Sequence, residues 1–172
     1  MKETAARFAA LDIVLVCGLP GSGKSHFARE YFKASGRKRI NRNEIRRHLF
    51  EMMSFGEPWK ESCYREEDEA LVKHIEHKLL EHILFLKHKV LIDNISITSD
   101  SRKFYIDLAK KMNKTIGAIF LDTPVQDCMA RNQKRKDPLP DSVISNLYAS
   151  VEHPDIREGL AEAIAVKPSR QE

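Results

Sequence analysis

The segment Gly18-Leu-Pro-Gly-Ser-Gly-Lys24-Ser25 follows directly on the apolar run Asp12-Ile-Val-Leu-Val-Cys17. That order leaves a chain few folds to choose from. A short apolar run bounded by a glycine-rich turn reads as a strand buried on both faces of a parallel sheet. The G-x-x-x-x-G-K-[ST] pattern behind it carries meaning when a strand precedes it and a helix follows, and a helix is expected from Gly23 to about Ala34. The glycines let successive backbone N–H groups turn inward on an anion, and the helix N-terminus adds partial positive charge. Gly18, Pro20, Gly21, Ser22, Gly23, Lys24 and Ser25 are therefore the expected nucleotide-binding residues. Lys24 is expected to bridge β- and γ-phosphates, and Ser25 to offer its hydroxyl to Mg²⁺, a cation that takes oxygen ligands and keeps several waters. ATP or GTP with Mg²⁺ is the expected pair; no Asn-Lys-x-Asp stretch for reading guanine is present, so a kinase rather than a GTPase switch is the expected class.

Beyond the loop, strand and helix signals alternate. An extended piece is expected at Arg39-Ile40-Asn41, then a helix from about Asn43 to Met53 with Asn43 as its N-cap. Leu71, Ile75, Leu79 and Ile83 recur every fourth residue and predict one apolar face of a long helix, which begins in the acidic stretch Glu66-Glu67-Asp68-Glu69. Lys89 to Asp93 reads as a second buried strand ending in a carboxylate, Asp100 to Met112 as a helix and Thr115 to Leu121 as a third strand. Pro124 suits the first turn of a helix reaching about Lys134. Lys136-Asp-Pro-Leu-Pro140 breaks the pattern before a helix over Asp141 to Val151, and Ala161 to Val166 is a last candidate strand. Alternating elements of this kind predict an α/β fold, a three-layer domain with a parallel sheet flanked by helices, and the glycine-rich loop makes it a P-loop kinase-type domain. In such a sheet Asp93 emerges at the carboxyl edge, where ligands bind, and is the expected second metal-side residue.

Composition bounds the rest. A length of 172 residues fits about one domain of the usual size, so residues 1–172 are read as a single domain, with Met1 to Ala10 set aside as a segment of uncertain role. A hydrophobic share of 42% with 31% charged residues excludes a disordered chain, and no apolar run approaches the roughly 20 residues of a membrane span. Cys17, Cys63 and Cys128 are odd in number and lack a CxxC pair, which argues against a disulfide framework and for reduced thiols in a cytoplasm. No signal peptide order is seen at the start. A net charge of +4 does not by itself imply nucleic acid. His48, His74, His77, His82 and His88 read as surface residues of helices rather than as a metal set.

Four segments, in order, carry a family resemblance: Gly18 to Ser25, Ile40-Asn-Arg-Asn-Glu-Ile-Arg46, Leu91-Ile-Asp-Asn-Ile-Ser-Ile-Thr98, and Phe120-Leu-Asp-Thr-Pro124 followed by Arg131-Asn-Gln-Lys-Arg135. Together they resemble the polynucleotide 5′-hydroxyl kinase family, over about Ile13 to Glu158. The resemblance implies transfer of the γ-phosphate of ATP to the 5′-OH end of single-stranded RNA or DNA, in nucleic acid repair. It implies that Arg46, with Arg42, binds the acceptor, Arg46 at the phosphate beside the attacked hydroxyl. Arg135 matches the arginine that a helical lid places on the transferring phosphates, and Arg131 its nucleotide-side neighbour. Arginine suits these places because it meets phosphate oxygens bidentately with a fixed charge. Trp59 and Tyr64 are candidates to stack an acceptor base, set against roles in core or loop packing.

The family's general base is an aspartate, and its position here is Asn43. An amide orients a hydroxyl but takes no proton at neutral pH, and loss of a general base typically costs about 10²- to 10⁴-fold. Glu44 is adjacent, yet the next residue of a helix points about 100° away. Asn43 is thus an engineered exchange, a natural variant of a slow kinase, or the mark of an ATP-binding module that transfers nothing. A P-loop kinase of small molecules, such as a sugar, an antibiotic or a nucleotide-sugar, is the other reading of the same cradle and lid.

Overall fold

The computed structural model describes residues 1–167. Five strands, β1 (Ile13–Cys17), β2 (Lys38–Ile40), β3 (Val90–Asp93), β4 (Ile116–Leu121) and β5 (Glu162–Val166), pair in parallel in the order β2-β3-β1-β4-β5. Seven α-helices accompany them: α1 (Lys2–Arg7), α2 (Lys24–Phe32), α3 (Arg42–Met53), α4 (Glu66–Phe85), α5 (Ser99–Lys111), α6 (Val125–Gln133) and α7 (Asp141–Ala149). The result is a three-layer α/β fold.

β1 lies at the centre and its five residues are all buried. Because strand side chains alternate, Ile13, Leu15 and Cys17 enter one core with Leu80, Leu84, Tyr105 and Ile106 of α4 and α5. Val14 and Val16 enter the other, with Phe27, Ala28 and Phe32 of α2. This two-sided burial explains why β1, β3 and β4 read as unbroken apolar runs.

The opening segment belongs to that second core. Phe8 is fully buried, and a side chain at Gly117 of β4 would collide with it and with Leu11. Arg37 donates to the carbonyls of Phe8, Leu11 and Asp12 at 2.8, 2.7 and 3.2 Å, and Lys89 to that of Ala9 at 2.7 Å. The first ten residues are therefore part of the packing.

Two sequence expectations are corrected. The buried stripe of α4 is Val72, Glu76, Leu80 and Leu84, while Leu71 and Leu79 are exposed. Glu76 breaks the apolar pattern at the centre of the true stripe, and a buried carboxylate there is tolerated because it is hydrogen-bonded. The N-cap of α3 is Asn41, not Asn43: its side chain accepts from the Glu44 amide at 3.0 Å and donates to the Asp93 carbonyl at 2.6 Å. α3 begins earlier than expected because this one side chain ties its first turn to the end of β3.

Candidate active site

β1 ends at a loop with positive φ at Gly18 (143°), Gly21 (82°) and Gly23 (96°). Gly21 has a second requirement, since a Cβ there would lie 2.3 Å from the Cys128 carbonyl oxygen of α6. The cradle and the helix leading to the lid are thus in backbone contact. Pro20 and Ser22 are buried, and Thr123 donates to the Ser22 carbonyl at 2.9 Å. The Ser22 hydroxyl has no partner.

Lys24 opens α2 and folds back over the loop, with Nζ 2.8 Å from the Gly18 carbonyl and 2.7 Å from that of Leu19. Burial pushes its pKa down from 10.5 to about 8, partly offset by the negative charge of Asp93 and reinforced by Arg135. Lys24, Asp93 and Arg135 therefore share one electrostatic site, although they come from three separate segments. Ser25 is half-buried beside Lys24. Burial likewise pushes the Cys17 thiol up to about 12 and the Cys128 thiol up to about 11, so both lie near the loop as neutral groups.

On one flank is Asp93, aligned with Val16 across the β1–β3 pair. It is fully buried. Its Oδ2 accepts from Arg39 Nε at 2.9 Å and Nη2 at 2.6 Å, while Oδ1 has no partner. A carboxylate oxygen left without a protein partner fits a cation such as Mg²⁺, which draws its other ligands from water and phosphate. Among the described residues no three His, Cys, Asp or Glu gather into a metal cage.

The first turn of α3 carries the other expected residues. Asn43 is exposed, and its Oδ1 accepts from Arg46. Arg46 Nε donates to Glu69 of α4, and its guanidinium lies over the Tyr64 ring, 5.6 Å from the centroid. Glu44 is held by Arg39, with both oxygens 2.9 Å from Nη1. Arg42 points its guanidinium into a buried network: Nε meets Glu76 Oε2 at 2.6 Å and Nη2 meets the Tyr105 hydroxyl at 3.2 Å. Glu76 also accepts from Tyr105 at 2.5 Å and from Asn94 at 2.6 Å. The Arg42 guanidinium is thus committed to joining α3, α4 and α5, and Arg46 is the arginine that stays beside Asn43. Trp59 packs edge-on against Phe50, 5.4 Å between centroids, and His77 stacks on Phe104.

The lid lies on the opposite flank. Arg131 of α6 reaches the Gly21 carbonyl by a long contact of 3.5 Å, whereas Arg135, just past α6, is exposed. Asn132 is fully buried and grips Leu139 at both main-chain groups, donating to its carbonyl at 2.8 Å and accepting from its amide at 3.1 Å. That bracket closes the loop bearing Arg135. A second brace is Arg102, fully buried, which makes two bonds to Glu158 (2.8 and 2.7 Å) and donates to the carbonyls of Ser96 and Glu152. Sequence reading missed Asn132, Arg102, Arg39, Glu69 and Glu76. The sole signal for any of them is Asn132's place inside the Arg131 to Arg135 segment.

A family model described as an AAA domain matches residues 13–154. The L-seryl-tRNA(Sec) kinase of Methanococcus maripaludis is 25% identical over 146 residues, covering 83% of this chain and 53% of that protein. The bifunctional polynucleotide phosphatase/kinase of Schizosaccharomyces pombe is 26% identical over 154 residues, 87% of this chain and 32% of that one. The chain thus spans about half the length of one curated relative and about a third of the other. Among solved structures, Chaetomium thermophilum Kti12 in complex with ADP-AlF3 has the same fold, with a TM-score of 0.66, 19% identity and coverage of 93% and 91%.

Proposed function

Because the chain belongs to the AAA domain family whose model spans residues 13–154, and is a P-loop kinase of that type, we propose that it transfers the γ-phosphate of ATP to the 5′-OH end of single-stranded RNA or DNA. The observation that carries this reading is the pairing of Asn43 with Arg46 on the first turn of α3, tied to the end of β3 beside the phosphate loop. In that place a hydroxyl held by Asn43 has its neighbouring phosphate on Arg46. The names of the two curated relatives, a polynucleotide kinase and a seryl-tRNA kinase, support an acceptor borne on nucleic acid.

The chemistry asks for little covalent help. Phosphoryl transfer passes through a loose transition state in which charge spreads over the equatorial oxygens, so positioning and electrostatics dominate. Loop amides and the α2 N-terminus hold the β-phosphate. Lys24 leaves its two carbonyl partners for the β- and γ-oxygens, and Arg135 neutralises charge from the lid, with Arg131 on the nucleotide side. Asp93 Oδ1 and Ser25 would hold Mg²⁺, which when bound screens the phosphates. Asn43 orients the attacking hydroxyl without taking its proton, and the rate is low for that reason. The free thiols Cys17, Cys63 and Cys128 support a reducing, cytoplasmic setting, and no helix among the described residues is long and apolar enough to cross a membrane.

The test is label transfer from γ-labelled ATP to a 5′-hydroxyl oligonucleotide, with and without Mg²⁺, for the chain as it stands and for Asn43→Asp. Expected is a gain of about a hundredfold or more in Asn43→Asp, the lower bound for restoring a general base. Absence of transfer by both proteins overturns the reading. A kinase of small hydroxyl compounds, or an ATP-binding module that transfers nothing, is then favoured.

A further inference from the structure

Arg39 lies on β2, the edge strand, and was not among the residues expected at the site. Its three guanidinium nitrogens are all engaged: Nε and Nη2 on Asp93 Oδ2 at 2.9 and 2.6 Å, Nη1 on the two Glu44 oxygens at 2.9 Å each. The Asp93 side chain is 0% exposed and that of Arg39 25%. A buried carboxylate held this way is charge-neutralised on one oxygen, while the other is left without a hydrogen bond. Lys24, Arg39 and Arg135 more than balance Asp93 and Glu44, so a free divalent cation approaching the site meets no net attraction. A triphosphate changes that balance by bringing its own negative charge.

We propose that Arg39 is the resident counter-cation of the metal-side carboxylate: it fixes Asp93 by Oδ2, leaves Oδ1 as the one oxygen available to a metal, and keeps divalent cations out until a nucleotide is bound. Arg39 is thus a positioning residue, acting through Asp93 and touching neither phosphate nor acceptor. The inference rests on the reading of Asp93 and Ser25 as the metal side of a nucleotide site, and is independent of which acceptor is phosphorylated.

Its test uses Mn²⁺ as the probe, with bound ion measured by electron paramagnetic resonance on the full chain. Without nucleotide, the protein as it stands binds Mn²⁺ at or beyond the millimolar range. Arg39→Gln removes the competing charge and is expected to tighten that binding at least tenfold, on the scale of one unit charge at close range in a partly solvated site. Adding Asp93→Asn to Arg39→Gln abolishes the gain. Arg39→Lys keeps a charge but cannot grip both carboxylates, so it gains about threefold; it decides the matter if the Gln variant does not fold. No gain in either variant, or a gain that survives Asp93→Asn, overturns the inference. A non-hydrolysable ATP analogue provides the separate check: if Mn²⁺ fails to bind even with it, the metal-side reading falls and takes this inference with it, whereas Mn²⁺ binding with the analogue but no effect of Arg39 sinks the inference by itself.

Discussion

Around the phosphate loop, Lys24 rests on two backbone carbonyls and Arg135 is exposed on the lid. On the α3 side three arginines already have an acid, Arg39 of β2 with Asp93 and Glu44, and Arg42 and Arg46 of α3 with Glu76 and Glu69. One half of the crevice is set by backbone geometry and stands ready. The other is charge-compensated, and a ligand there gains only what it wins over a resident carboxylate. Because a buried ion pair offsets much of its attraction by desolvation, the pairs on α3 serve to place side chains more than to stabilise the fold.

The largest expected effect tests the ready half. Lys24→Ala removes the cation that rests on the loop carbonyls of Gly18 and Leu19, and kcat for phosphoryl transfer should fall by about 10³-fold, the scale for losing one pre-organised charge on developing negative oxygen. A fall of less than tenfold would mean that loop amides and lid arginines suffice. The compensated half is tested by a pair of variants with opposite signs. Arg46→Ala should raise the acceptor KM by about 30- to 100-fold, the equivalent of a charge-assisted hydrogen bond of about 2 to 3 kcal/mol. Glu69→Gln removes the competitor and should lower the same KM by about threefold to tenfold, leaving kcat for a saturating acceptor little changed. If Glu69→Gln instead raises KM, the carboxylate holds Arg46 in place rather than competing for it, and the contrast between the two halves is lost.

How far each half could be read from the chain follows the same division. The cradle was legible because its determinants are local: glycines required by φ, a lysine at the helix start, and an apolar strand just before them. β1, β3 and β4 were legible because burial on both faces leaves unbroken apolar runs. Other features depend on partners far along the chain. Arg39 meets Asp93 across 54 positions, and Arg42 meets Glu76 across 34. Glu76 then displaced the apparent stripe of α4 by one residue, and Asn41 captured the α3 cap because the Asp93 carbonyl lies within its reach. Asn43 suits a cap by its residue type, but Asn41 takes that place and Asn43 lies exposed beside Arg46. Asn132 has nothing in its neighbours to reveal that it brackets Leu139.

The remaining effect concerns protons and sharpens the comparison at Lys24 itself. Burial lowers this lysine in the free protein from 10.5 to about 8, whereas a bound triphosphate surrounds it with negative charge and holds it protonated. Above about pH 8 binding must therefore take up a proton, and nucleotide affinity should fall by up to about tenfold per pH unit until the pKa of the complex is reached. The effect on stability has the opposite sign. Between about pH 8 and 10.5 the unfolded chain holds this proton more tightly than the free folded protein does, so through this group the free protein gains stability as pH rises. Nucleotide-induced stabilisation shrinks over the same window. Calorimetric titration of an ATP analogue from pH 7 to 9.5 measures the uptake, and Lys24→Met should bind weakly with that pH dependence removed. A flat profile for the unaltered chain would mean that the lysine is charged throughout, as if its two carbonyl contacts were already the environment a phosphate provides.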